Sequence, residues 1–254
     1  MLQVKREDQI TFLQAETLTS IPGVVHAFST RRAERNDFSL GPPDSPNPMI
    51  QINRVRFMAA IGALGWPIIK LKQIHSGIVV DIDDTSAAGE AVEGDAAVTS
   101  LRGAALAVQT ADCVPVLIAD AEGRAVAAIH AGWRGTAAGI SGRAAGRLIE
   151  KFGLEEKSLR AVIGPHIGVC CYEVGEEVVD AFRNPAAVER RSEWAKAHLN
   201  LAAANRAQLI DVGIADSHIE TSSLCTKCRT DLFHSYRREG KRMGHLLSVV
   251  GLVP

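Results

Sequence analysis

The sequence predicts an α/β protein: one layered α/β/α domain over residues 1–254 with a mixed β-sheet. Three observations carry this reading. Apolar, strand-like runs crowd the middle of the chain, Ala-rich stretches of helical periodicity follow them, and one connection between runs is short enough to require an antiparallel pair. With 254 residues, 46% of them hydrophobic, the chain can bury a large core.

Taken in order, the alternation of VVHAFST at 24–30 reads as a strand, and NDFSLGPPDSPNP at 36–48 is too rich in Pro, Gly, Asn, Asp and Ser for regular structure and reads as a surface loop. Apolar positions at helical spacing then predict a helix over 49–64, carrying Arg54 and Arg56. Strands are expected at 78–83, 95–100, 105–110, 114–120 and 124–131, separated by turn residues. The last two are joined by Ala121-Glu122-Gly123-Arg124, the connection that demands antiparallel neighbours. From 133 to 151 the stripe Ile140, Ala144, Leu148 and Phe152 marks a helix ended by Gly153. A strand from Arg160, helices near 175–182 and 200–213, and a closing apolar run HLLSVVGLV complete the pattern.

The formal net charge is −1 with acids and bases interspersed, so no basic stripe points to a nucleic-acid backbone or an anionic membrane. No apolar run approaches a membrane span, and MLQVKREDQITFLQAETL lacks the pattern of a signal peptide. The expectation is a cytoplasmic protein acting on a small molecule. Five cysteines, Cys113, Cys170, Cys171, Cys225 and Cys228, are an odd number and are expected as reduced thiols.

Three ligand-type residues fall at strand ends, where a rigid backbone can fix a metal: His75 in KQIHSG, Cys113 in QTADCVP and His130 closing AVAAIH. Two imidazoles and a thiolate leave the fourth tetrahedral position of a zinc ion open to water or substrate, as in catalytic rather than structural sites. A hydrogen-bonded core histidine and a small buried cysteine are the bland alternatives. Against them stand Asp112 beside Cys113 and Trp133-Arg134 beside His130, polar groups where a strand end opens towards solvent.

At these residues the chain resembles the laccase-domain family, also called peptidoglycan-editing-factor or YfiH-like proteins. Its members are purine nucleoside phosphorylases formerly described as multicopper polyphenol oxidases. The resemblance is carried by KQIHSG, GDAAVTS, TADCVPVLIAD, AAIHAGWRGTAAGI, IGPHIGVCCYEVGEEV and SLCTKC…FHSYRREG…GHLLSVVGL, in the family's order. It implies that His75, Cys113 and His130 are the metal ligands and catalytic trio. It implies substrates among adenosine, inosine, guanosine and methylthioadenosine, cleaved by inorganic phosphate to base and ribose 1-phosphate, with adenosine deamination as a second activity. The family's STRxGGVSxGPYxSLNLG is here STRRAERNDFSLGPPDSPNP, which keeps Ser29-Thr30-Arg31 but loses the paired glycines.

Phosphorolysis needs a phosphate cradle, for which arginine forks are suited; Arg54, Arg134 and Arg237 or Arg238 are the candidates. Backbone N–H groups of AGWRG could add to that cradle. Deamination needs a proton carrier, for which Asp112 and Asp95 are candidates. Cys171, His166 and Tyr172 are candidates to line the pocket. The eight histidines contain no H-x-H pair, which excludes a trinuclear copper cluster, although copper could occupy the His2Cys donors in place of zinc and give a slow polyphenol oxidase activity there. Cys170-Cys171 and Cys225-x-x-Cys228 suggest a second metal site, but that would require convergence from distant segments, and the expectation is that they do not converge. Two other classes remain open: a cysteine hydrolase or peptidoglycan-precursor editing enzyme with Cys113 as nucleophile, and a metal-storage or scaffold protein.

Overall fold

The computed structural model describes residues 2–34, 38–41, 47–88, 92–182 and 187–254. Its strands, numbered in chain order, form two six-stranded sheets and a small third one. The first sheet runs β1 (Gln3–Glu7), β2 (Ile10–Gln14), β3 (Val24–Ser29), β15 (Leu246–Leu252), β7 (Ala104–Thr110), β4 (Ile68–Lys70). The second runs β14 (Ile219–Thr221), β10 (Leu159–Ile163), β8 (Val114–Asp120), β9 (Val126–Ala131), β6 (Ala96–Thr99), β5 (Val79–Asp81). The third is β11 (Glu173–Val174), β13 (Ala197–Leu199), β12 (Val188–Glu189). Both large sheets are mixed: β4 joins β7 in parallel, β5 joins β6 and β14 joins β10 in parallel, and the other pairs are antiparallel.

The α/β class and the mixed pairing follow expectation, while the layering is richer than α/β/α. The alternation of side chains along each strand shows why. In β8, Val116 and Ile118 enter one apolar cluster while Leu117 and Ala119 enter another. In β15, Val250 and Leu252 face the second sheet, whereas Leu247 and Val249 face outwards into a third cluster. The two sheets therefore pack back to back over a shared core that includes Phe28, Leu106, Leu117 and Val126. The outer face of the first sheet is covered by the helix Pro48–Ala60 through Phe57 and Met58. That of the second is covered by Ile140–Phe152 and Leu201–Asp211 through Ile140, Leu148 and Leu209. The result is four layers, helix, sheet, sheet, helices. Strands buried on both faces explain why the middle of the sequence reads as near-continuous apolar runs.

Local departures have local causes. The helix expected over 133–151 divides into Trp133–Ala137 and Ile140–Phe152, because Gly139 between them takes φ +80°. The helix expected at 175–182 shortens to Glu176–Val179. Asn47 caps Pro48–Ala60 by accepting from the Met49 N–H, with Pro48 in its favoured first-turn position. Much of the loop expected at 36–48 lies outside the described residues; Phe38 and Leu40 within it are buried against the first sheet's outer face. The β1–β2 hairpin turns through Asp8 and Gln9, both at positive φ. Among the described residues, no helix is long and apolar enough to cross a membrane.

Leu117 is wholly buried between the sheets. Leu117→Ala should cost about 2–5 kcal/mol through the cavity it leaves, whereas Ile210→Ala, at a half-exposed helix position, should stay within about 0.5 kcal/mol. Chemical denaturation of the two variants beside the parent measures both.

Candidate metal centre and its pocket

Two connections cross from one large sheet to the other at the same end of the sandwich. Residues 71–78 leave β4 for β5 and carry His75; residues 111–113 leave β7 for β8 and carry Cys113. His130, the penultimate residue of β9, lies beside both. The ligand atoms of His75, Cys113 and His130 fall within 4.8 Å of one another. Cys113 Sγ is 4.0 Å from His75 Nε2, and the imidazole rings meet edge to face with centroids 4.9 Å apart. Gly132 makes the convergence possible, because a Cβ there would lie 2.8 Å from His75 Cδ2 and 3.1 Å from Cys113 Sγ.

Asp95 organises the trio. It is wholly buried immediately before β6, and its Oδ1 lies 2.8 Å from His130 Nδ1. The same carboxylate accepts the His75 N–H at 3.0 Å, the Ser76 N–H at 2.6 Å and the Ser76 hydroxyl at 2.7 Å. It thereby holds His75 in its left-handed backbone conformation, φ +59°. With Nδ1 committed to Asp95, His130 turns Nε2 towards the cluster, the carboxylate–histidine arrangement that orients a metal ligand. Burial alone would raise the Asp95 carboxyl, but the bonds from His130 and Ser76 outweigh it and keep it ionised.

The trio itself is polarised. Burial works to raise the Cys113 thiol, yet the neighbouring imidazoles, His130 foremost, pull it down to about 6. Burial works to lower His130, yet the Cys113 sulfur and the Asp95 carboxylate lift it to about 9. The site is built to hold positive charge between a thiolate and a carboxylate, whether a proton or a metal cation. Nitrogen and sulfur donors in this number suit zinc or copper.

The trio lies on the wall of a cavity of about 1320 Å³ also lined by Asp112, Tyr172, Trp133, Arg134, Arg237 and Arg54. Arg134 stacks on Trp133 with its guanidinium carbon 4.2 Å from the ring centroid, and Arg237 lies 5.1 Å from the centre of Tyr172. The Arg54 guanidinium is buried and donates to the carbonyls of Leu40 and Gly41. Asp112, at φ +111°, accepts from the Thr226 hydroxyl at 2.6 Å, the Ser235 hydroxyl at 3.0 Å and the Arg237 N–H at 2.7 Å.

Several expected positions are corrected. Asp95 is not among the cavity-lining residues and acts through His130 and His75. His166 is turned to the Gly164 carbonyl, and the Arg238 guanidinium is taken up by the carbonyls of Thr226, Lys227 and Phe233 and by Glu239. Cys171 belongs instead to a cluster with Cys170, Cys225 and Cys228, so the four cysteines do converge. Lys70 and His245, which sequence reading passed over, line the cavity as well. Their one sequence signal is position: each borders a strand of the first sheet, Lys70 closing β4 and His245 preceding β15.

An α/β sandwich with a deep cavity, walled by a two-histidine, one-cysteine cluster able to hold a metal ion, is the class of protein that fold and site define. The chain belongs to the multi-copper polyphenol oxidoreductase laccase family, whose model matches residues 25–253. A purine nucleoside phosphorylase of Deinococcus radiodurans is 36% identical over 246 residues, covering 90% of this chain and 89% of the relative. An adenosine deaminase, RL5, of an unknown prokaryotic organism is 41% identical over 173 residues, 65% of this chain and 64% of its own. The crystal structure of YlmD from Geobacillus stearothermophilus superposes with a TM-score of 0.86 over 99% of both chains at 28% identity.

Asp95→Asn should weaken metal binding by about 10–100-fold, the usual effect of removing such a supporting carboxylate, while preserving the fold; competition with a chromogenic chelator measures it. In metal-free protein the Cys113 thiolate is present above about pH 6 and lost as pH falls through that value. Iodoacetamide labelling of Cys113, followed by peptide mass spectrometry, should therefore rise with a midpoint near that value. A midpoint in the ordinary thiol range of about 8.5 would refute the pairing.

Proposed function

We propose that this chain is a metal-dependent purine nucleoside phosphorylase. It cleaves adenosine, inosine, guanosine and methylthioadenosine with inorganic phosphate to the base and the ribose or methylthioribose 1-phosphate, and it deaminates adenosine at the same centre. The observation that carries this reading is the His75–Cys113–His130 cluster opening onto a cavity lined by aromatic faces and arginines. The phosphorylase and deaminase names of the relatives support it.

Zinc, or copper at the same donors, would supply a Lewis acid beside the substrate when bound. The remaining requirements fall to the chain itself. Trp133 offers a ring face for a purine. Arg134 and Arg237, lying over the rings of Trp133 and Tyr172 respectively, can present N–H donors to phosphate oxygens. As phosphate oxygen bonds to the sugar C1′ and the bond to the base breaks, the departing purine nitrogen needs a proton or hydrogen-bond donor. Burial pushes the Tyr172 hydroxyl up to about 12, so it stays protonated at neutral pH and can serve. Asp112, clamped by Thr226, Ser235 and the Arg237 N–H, positions that arginine's backbone and is the carboxylate within the cavity for proton transfer in deamination.

The lowered Cys113 thiol beside His130 also suits a cysteine hydrolase, which metal dependence distinguishes. Metal-defined protein is incubated with adenosine or inosine, with and without phosphate, and the products are resolved by chromatography. Free base should form only with phosphate, inosine should form from adenosine without it, and His75→Ala should reduce both by about a hundredfold or more. Absence of base from the metal-loaded protein, or undiminished turnover by His75→Ala or after chelation, would refute the proposal.

A further inference from the structure

Outside the cavity, four sulfurs from two distant segments meet. Cys170 and Cys171 lie in the turn that precedes β11, and Cys225 and Cys228 in the connection after β14. Their Sγ atoms all lie within 4.8 Å of one another, with Cys170–Cys171 and Cys170–Cys228 at 3.8 Å and Cys171–Cys228 at 3.4 Å. A tetrahedral zinc ion with zinc–sulfur bonds of about 2.3 Å has sulfur–sulfur edges of about 3.8 Å. These spacings far exceed a disulfide bond of about 2.05 Å, and all four cysteines are free.

The backbone around the cluster is arranged for thiolates. Gly168 donates its N–H to Cys225 Sγ at 3.2 Å, and a Cβ at Gly168 would lie 3.2 Å from Cys170 Sγ and from Cys225 Cβ. His166 and Cys225 pair as a parallel bridge, with the Thr226 N–H donating to the His166 carbonyl at 2.9 Å, so the two segments are already in register.

We propose that Cys170, Cys171, Cys225 and Cys228 form a second, closed zinc site that ties the two segments of the cavity wall together. Four soft sulfur donors in tetrahedral array favour zinc, and no position is left for substrate. The tie has a clear mechanical target. Tyr172 follows Cys171 directly and lines the cavity. Thr226, between the other two ligands, donates to Asp112 Oδ1, and the Ile167 N–H donates to the Asp112 carbonyl at 2.9 Å. Both cysteine segments thus grip the residue beside Cys113. The site positions the wall and takes no part in bond making.

The test is metal content by elemental analysis of protein prepared under reducing conditions, with zinc as the probe. With zinc also at the trio, as the proposed function has it, wild type should hold two zinc ions per chain, His75→Ala one and Cys228→Ser one. Because His75→Ala leaves every cysteine of the cluster in place, its remaining ion reports on the cluster even if the cysteine variant fails to fold. Cobalt-substituted His75→Ala should show the intense thiolate-to-metal absorption of a four-sulfur site. No metal in His75→Ala, disulfides among these cysteines in the reduced preparation, or an iron–sulfur chromophore in place of zinc would each overturn the proposal; one zinc in wild type that His75→Ala retains would support it and overturn only the metal proposed at the trio.

Discussion

The bond between the Asp95 carboxylate and His130 Nδ1 governs the rest of the site. A carboxylate wholly removed from water is costly unless its oxygens are engaged, and Asp95 meets that need with an imidazole, a hydroxyl and backbone N–H groups from a single turn. Those donors belong to His130 in β9 and to the loop carrying His75. Satisfying one buried charge therefore sets two members of the trio at once. Cys113 completes the set where the chain crosses between sheets, and its position rests on the same packing that joins the sheets.

The surroundings of Cys113 show a comparable economy. Asp112 takes a backbone conformation unusual for any residue but glycine, and three donors from the C-terminal third of the chain hold its side chain. The cavity wall is thus assembled from segments far apart in sequence, each secured at a strand end. Aromatic rings lie against Arg134 and Arg237, which lowers the entropy lost when they close on an anion.

Much of this was legible in the sequence because burial on both faces of a strand leaves an uninterrupted apolar run. The runs at 105–110, 114–120 and 124–131 appear as β7, β8 and β9 within a residue or two, and the short connection at 121–124 is indeed an antiparallel turn. His75, Cys113 and His130 were visible as ligand-type residues at the ends of such runs, and the structure brings their donor atoms within 4.8 Å of one another. What escaped was set by partners remote in sequence. Two sheets and one sheet leave the same periodicity, so the fourth layer had no signature. The hairpin at Asp8-Gln9 lacks the Asn-Gly or Asp-Gly pair that advertises such a turn. Asp95 and Cys171 carry cavity-like chemistry but face elsewhere, and the two cysteine pairs meet only because β14 joins β10 in parallel beside the turn after it.

Strand β15 lies between β3 and β7 in the middle of the first sheet, yet among the described residues it comes after every other strand in chain order. Until it arrives, the N-terminal hairpin and β3 have no partner linking them to β7, and the inner face of the second sheet lacks its full cover. Productive collapse must wait for contacts that span almost the whole chain, the topology associated with slow folding and with prolonged exposure of apolar strand edges. The residue entering that strand, His245, lines the cavity. The event that closes the fold is thus also one that finishes the wall of the site, and a nascent chain short of that point would carry the trio without a complete chamber to work in.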